Sequence, residues 1–197
     1  MLNWATHEFL ETTELLRKLT ADIELHAFFA EMTSDQEIKN MLQRHIQIMD
    51  STYHQAMNLL QHKGVRIDNS IRFQHNVEHK PHLGFQNPQT IPVPNMNGNR
   101  LSDITICTVI LNSHKAGSAI GMLWASECVD PDVRSFHIMC ANNCQQMAYD
   151  VFQLMNQRGY YEVPTMPQSD VRKMSSTFQY MSNPNIMNGN TTTNQFS

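Results

Sequence analysis

Charge is scarce in this chain. Of 197 residues only 16% are Asp, Glu, Lys or Arg, against the ~25% usual for soluble domains. The balance is acidic, with 14 Lys and Arg facing 18 Asp and Glu. No basic footprint exists, which argues against nucleic acid as a partner. Long apolar runs are also missing: none approaches the ~18 residues of a membrane-spanning helix. The first residues lack a basic stretch followed by an apolar one, so synthesis in the cytosol is expected. Cys107, Cys128, Cys140 and Cys144 are too few for a disulfide scaffold and form no C-x-x-C pair, so reduced, helix-buried thiols are expected. With only 7 glycines, loops that cradle phosphate and strained nucleophile turns find no support. What the chain has instead is methionine (14), histidine (10) and many uncharged polar residues.

The apolar period is helical. Phe9, Thr13, Leu16, Thr20, Ile23, Ala27 and Ala30 recur at spacings of three and four, predicting a helix over about 6–31 with that stripe inward. Ser34 with Glu37 reads as a capping box opening a second helix over 34–63, and Gly64 as its end. The stripe of that helix is Ile38, Met41, Leu42, His45, Met49, Thr52, Ala56 and Leu59. A third helix is predicted over 102–128. A fourth, over 131–158, is opened by Asp130-Pro131 and closed by Gly159. Its stripe runs from Val133, Phe136 and His137 through Cys140, Cys144 and Met147 to Val151, Leu154 and Met155. At an offset of 95 the second helix maps onto the fourth: Glu37 on Asp132, Ile38 on Val133, Gly64 on Gly159. That pattern implies a duplicated hairpin.

Between the hairpins, residues 65–101 hold Pro81, Pro88, Pro92 and Pro94 and are too long for an ordinary turn. A crossover is needed if the second and third helices run parallel, because it must travel the ~37 Å of a helix of about 25 residues. The expected fold is therefore all-α: a ferritin-like four-helix bundle, residues 1–165, made of two helical hairpins joined by a long crossover. Residues 166–197 are expected to form a polar, mostly disordered tail.

Such bundles can hold two metal ions between paired E-x-x-H motifs. Here the equivalent spacings read Leu42-x-x-His45 and His137-x-x-Cys140, and the acids of the first helix, Glu11, Glu14, Asp22 and Glu24, fall mostly off its predicted stripe. Two divalent ions would lack compensating carboxylates. A mononuclear soft site from His45, His137, Cys140 and Cys144 suits zinc or copper, but buried thiols and hydrogen-bonded histidines are the commoner outcome of such stripes. His75, Glu78, His79 and His82 in the crossover offer further ligands without a fixed geometry, the alternative being a solvated His-rich loop. No catalytic, cofactor-binding or metal residue is assigned, no cofactor is expected, and the chain is read as a non-enzyme.

The stretch from Ser102 to Pro164 resembles the spore coat protein F (Coat F domain) family of endospore-forming bacteria. The residues that carry this are Asp103, Lys115, Ala125-Ser126-Glu127-Cys128, Asp130-Pro131-x-x-Arg134 and Gly159-Tyr160-Tyr161-x-Val163-Pro164. The resemblance implies a ferritin-like helical protein without established catalysis, made in the mother cell and deposited in the spore coat. It further implies assembly with itself or with other coat proteins. Tyr160, Tyr161 and Tyr180 are candidates for interfaces or oxidative cross-links, against the plainer reading that Tyr160 and Tyr161 pack the end of the bundle. Two other readings stand beside a structural coat role: a ferritin-like metal-binding protein or oxidoreductase with a degenerate site, and an adaptor that brings cargo to the coat.

Overall fold

The computed structural model describes residues 4–61, 80–94, 96 and 100–178. The chain is all-helical there: α1 Thr6–Met32, α2 Gln36–Leu60, α3 Asp103–Glu127, α4 Pro131–Gln157 and α5 Gln168–Ser175. Residues 1–163 and 164–197 form two separate units.

In the first unit α1 packs on α2 and α3 on α4, and the two hairpins meet through α1 against α3 and α2 against α4. Cross-contacts fix the directions. Ser113 meets Asp22 and Asp103 meets Thr33, so α1 and α3 are antiparallel; Asp150 meets His45 and Arg158 meets Glu37, so α2 and α4 are antiparallel too. It follows that α2 and α3 run parallel, and the crossover between them has to span the bundle, as the sequence predicts. Its later part returns along the far pole, where the Gly84 N–H donates to the Val163 carbonyl (2.8 Å) and the Gln89 N–H to that of Gly159 (3.0 Å).

The helix ends are set by local chemistry. Asp35 caps α2 by accepting from the N–H groups of Glu37 and Ile38, and Asp130 caps α4 by accepting from those of Asp132 and Val133. These residues are themselves 95 apart, so the internal repeat survives as a matched pair of caps. The predicted cap Ser34 is exposed and is displaced by Asp35, because Thr33 turns inward to donate to Asp103 (2.6 Å) and accepts the Asp35 N–H (3.1 Å). Gly159 closes α4 with φ +70° while the Tyr160 N–H reaches back to the Met155 carbonyl (2.8 Å). A Cβ there would lie 2.2 Å from the Asn87 carbonyl oxygen, so glycine is required by conformation and by the passing crossover. The predicted stop at Gly64 lies outside the described residues.

The interior holds the expected stripes of α2 and α4: Ile38, Leu42, Ala56, Val133, Phe136 and Val151 are fully buried. For α1 the structure corrects the expectation. The buried face is Glu8, Glu11, Thr12, Leu15, Leu19, Asp22, His26, Phe29 and Ala30, while Phe9 is 45% exposed and Thr20 faces solvent. The helix is rotated from the predicted stripe: Leu15, Leu19 and Phe29 match Phe9, Leu16 and Ile23 in apolar bulk, and the face turned inward is the one whose Asp22 and Glu8 find partners on α3 and at the α3–α4 turn. Acidic Glu8, Glu11 and Asp22 are carried inside as a result. Glu14 and Glu24 remain exposed.

In the second unit, α5 is a short helix with no buried residue, supported by a Lys173–Asp170 ion pair (3.8 Å), in a stretch expected to lack regular structure.

Candidate functional site: a buried three-histidine layer

The rotation of α1 places His26 in the bundle interior. There it meets His45 from α2 and His114 from α3, all three with no exposed surface. Ring centroids are 5.1 Å apart for His26–His114, 5.2 Å for His45–His114 and 5.8 Å for His26–His45. One nitrogen from each ring lies within 4.8 Å of the others, and no other such group of three ligating side chains occurs among the described residues.

Each ring is held differently. His26 Nδ1 lies 2.7 Å from the Asp22 carbonyl oxygen, which only a protonated Nδ1 can satisfy. Its Nε2 therefore presents a lone pair, 3.2 Å from His114 Nε2. His45 Nε2 lies 3.0 Å from Asp150 Oδ2, so it carries the proton and leaves the lone pair on Nδ1. Neither His45 Nδ1 nor His114 Nδ1 has a hydrogen-bond partner in the protein. Burial drives all three toward the neutral form. His26 is lowered to about 4 by desolvation and by the neighbouring His45, and His114 falls well below its ordinary value for the same reasons with His26 added. Desolvation also lowers His45, outweighing its hydrogen bond to Asp150.

The surrounding charges come in pairs. Asp22 bonds Lys18 and accepts from the Ser113 hydroxyl (3.0 Å), and Asp150 bonds Arg44 (3.2 Å) as well as His45. Lys18 reaches Asp22 by lying across α3 at Gly117, where a Cβ would stand 2.8 Å from Lys18 Cε and 2.9 Å from Cys144 Sγ. Three neutral imidazoles thus share one layer with no anionic oxygen free to bridge two ions. That donor set lacks the bridging carboxylates of a paired-metal centre, whereas a single borderline ion suits it.

Of the soft site weighed from sequence, only His45 belongs to this layer. His137 sits near the other pole, 3.2 Å from the Thr12 hydroxyl and stacked edge-on against Trp124 and Phe136. Cys140 and Cys144 line a cavity of about 20 Å³ with Asp22, Lys18 and Asn143, room for roughly one water. Burial raises both thiols, well above the ordinary range for Cys140, so neither is a ready thiolate. In the crossover, His82 is exposed, its backbone held by Asn156. His75, Glu78, His79 and Tyr180 lie outside the described residues. Tyr160 packs against the interior and Tyr161 stands edge-on to Phe152 (5.3 Å), so this pair finishes the end of the bundle as the plainer reading holds.

His26 and His114 escaped the sequence reading. A signal was present: Thr12, Leu15, Leu19, Asp22, His26 and Phe29 also repeat at three and four, a second stripe beside the apolar one.

Residues 102–164 match the Coat F domain. This Coat F segment comprises α3, α4 and the turn through Gly159, and so contains His114 and Asp150 but neither His26 nor His45. Over 173 residues the chain is also 23% identical to spore coat protein F-like protein YhcQ of Bacillus subtilis (strain 168), covering 87% of this chain and 79% of that protein. That likeness extends beyond the Coat F segment into the first hairpin. No solved structure matches.

Proposed function

We propose that this chain is a structural protein of the bacterial endospore coat, made in the mother cell and assembling with itself or with other coat proteins, without a catalytic role. The Coat F match over α3, α4 and the closing turn carries this reading, and the likeness over 173 residues to a spore coat protein F-like protein supports it. The surface is compatible with assembly. Along the crossover Leu83, Phe85, Ile91 and Val93 are 59% to 87% exposed, and Ile120, Met122 and Leu123 are exposed on α3. Low charge limits repulsion between packed copies.

No helix of the described residues is long and apolar enough to cross a membrane. A fluorescent fusion followed through sporulation tests the reading. A ring around the forespore, appearing only after mother-cell transcription begins, is the expected result. Diffuse signal in growing cells and none on the released spore would refute it. Replacing Phe85, Ile91 and Val93 together by Ser should leave helicity unchanged and release the protein from coat extracts.

A further inference from the structure

We propose that His26, His45 and His114 form a binding site for a single divalent transition-metal ion, zinc in the first instance. The site needs nothing from the coat reading and stands on the arrangement of the rings. Buried polar atoms without partners cost roughly 1–3 kcal/mol each, yet His45 Nδ1 and His114 Nδ1 have none in the protein, and His26 Nε2 has only the facing His114 Nε2 at 3.2 Å. An ion turns that arrangement into bonds. Zinc takes imidazole nitrogens at about 2.0–2.1 Å in tetrahedral geometry, which places ligand nitrogens about 3.3 Å apart. His26 Nε2 and His114 Nε2 are 3.2 Å apart already, and His45 offers a nitrogen within 4.8 Å of one on each of the other two rings, so His45 is the ligand that has to draw in.

The supports around the rings are those of a metal site. His26 is oriented by a backbone carbonyl and His45 by a carboxylate, the two usual outer partners of metal-bound histidine, and each fixes the proton on the nitrogen that does not ligate. Without metal His114 Nε2 is the donor to the His26 Nε2 lone pair; on binding, its proton moves to Nδ1 and Nε2 is left to ligate. All three rings bind in the neutral form, so no proton need leave the protein. A solvent oxygen completes four-coordination. Asp150, bonded to His45, and Asp22, whose carbonyl holds His26, offset the charge of the ion, each already paired with a cation, Arg44 and Lys18. With every ligand at zero exposure, the ion acts as a staple joining α1, α2 and α3 across both hairpins.

The test is equilibrium dialysis of the full chain, free of any affinity tag, against zinc and separately against cobalt. About one ion per chain is expected, with the visible spectrum of tetrahedral nitrogen-bound cobalt. His26→Gln, His45→Gln and His114→Gln should each lose the ion. His137→Gln and the combined His75→Ala, His79→Ala, His82→Ala variant should keep it, and Asp150→Asn should weaken binding about 10-fold. Absence of stoichiometric metal in the wild-type chain overturns the proposal, as does full retention in the three glutamine variants. If those variants fail to fold, X-ray absorption on the wild-type zinc protein decides: three imidazoles uphold the site, and sulfur ligands or fewer imidazoles refute it.

Discussion

Two polar layers interrupt the apolar interior, and they differ in how their hydrogen bonds close. Near one pole Glu8 accepts from the backbone N–H groups of Val129 (2.5 Å), Asp130 (2.7 Å) and Ala5 (3.2 Å), tying the start of α1 to the turn between α3 and α4. Thr12 donates to the Glu8 carbonyl (2.7 Å) and meets His137. At mid-height, His26 and His45 hold their outer nitrogens firmly while the Nδ1 atoms of His45 and His114 have no partner in the protein; in the first layer His137 Nδ1 is likewise without one. Both layers are equally dry, so burial alone does not separate structure from function. What separates them is whether the side chains spend their hydrogen-bonding capacity on the backbone or aim it at a common point.

The largest expected effect probes the first layer. Glu8→Ala removes the charged acceptor of the Val129 and Asp130 N–H groups at the α3–α4 turn and should cost about 3 kcal/mol, read from the urea midpoint. A loss below 1 kcal/mol would mean that the turn does not depend on this carboxylate.

Next comes pH dependence. Glu11 is raised to about 7 by burial, by its hydrogen bond with Glu127 and by that neighbour's charge. A carboxyl raised in this way favours folding most below its unfolded value near 4.5, and the advantage is lost as pH climbs through about 7. His137 runs the opposite way: burial lowers it to about 4, so its contribution is complete above 6.5 and disappears as pH falls toward 4. Glu11→Gln should therefore gain stability relative to wild type between pH 5 and 7, on the order of 2 kcal/mol. A difference constant over that interval would contradict the assignment. Thr12→Val, which removes the hydroxyl's two buried hydrogen bonds, to the Glu8 carbonyl and to His137, without changing shape, should cost about 1 kcal/mol in the same assay.

The smallest effect belongs to the second layer. In metal-free protein His114→Leu should change stability by less than about 1 kcal/mol, because an apolar side chain replaces one with an unpartnered atom. A loss above 3 kcal/mol would show that the three rings already satisfy one another. Saturating zinc should reverse the ranking, stabilising wild type and leaving the leucine variant where it was.

The architecture was legible wherever one signal dominated. In α4 apolar stripe, cap and breaker agree, in α2 the stripe holds, and the length of the crossover alone announced the parallel pair. The face of α1 was not legible, since two stripes of similar apolar content lie side by side and the one that folds inward also carries Glu8, Glu11, Asp22 and His26. Their burial depends on partners far along the chain: Val129, Ser113 and His114. A periodicity argument has no access to those contacts. Ser34 misled for a related reason: the preceding Thr33 has a distant acceptor, Asp103, and its inward turn hands the cap to Asp35.

The order of helix directions bears on mechanics. Residue 6 begins α1 at one pole and residue 157 ends α4 at the other, about 40 Å away at 1.5 Å per residue. A pull applied through the two ends of this unit would slide α1 and α4 past the hairpin partners along their whole length, loading many side-chain contacts at once instead of peeling them one by one. In a layer that swells and shrinks, a subunit strung in that way would resist stretching better than one whose ends emerge together.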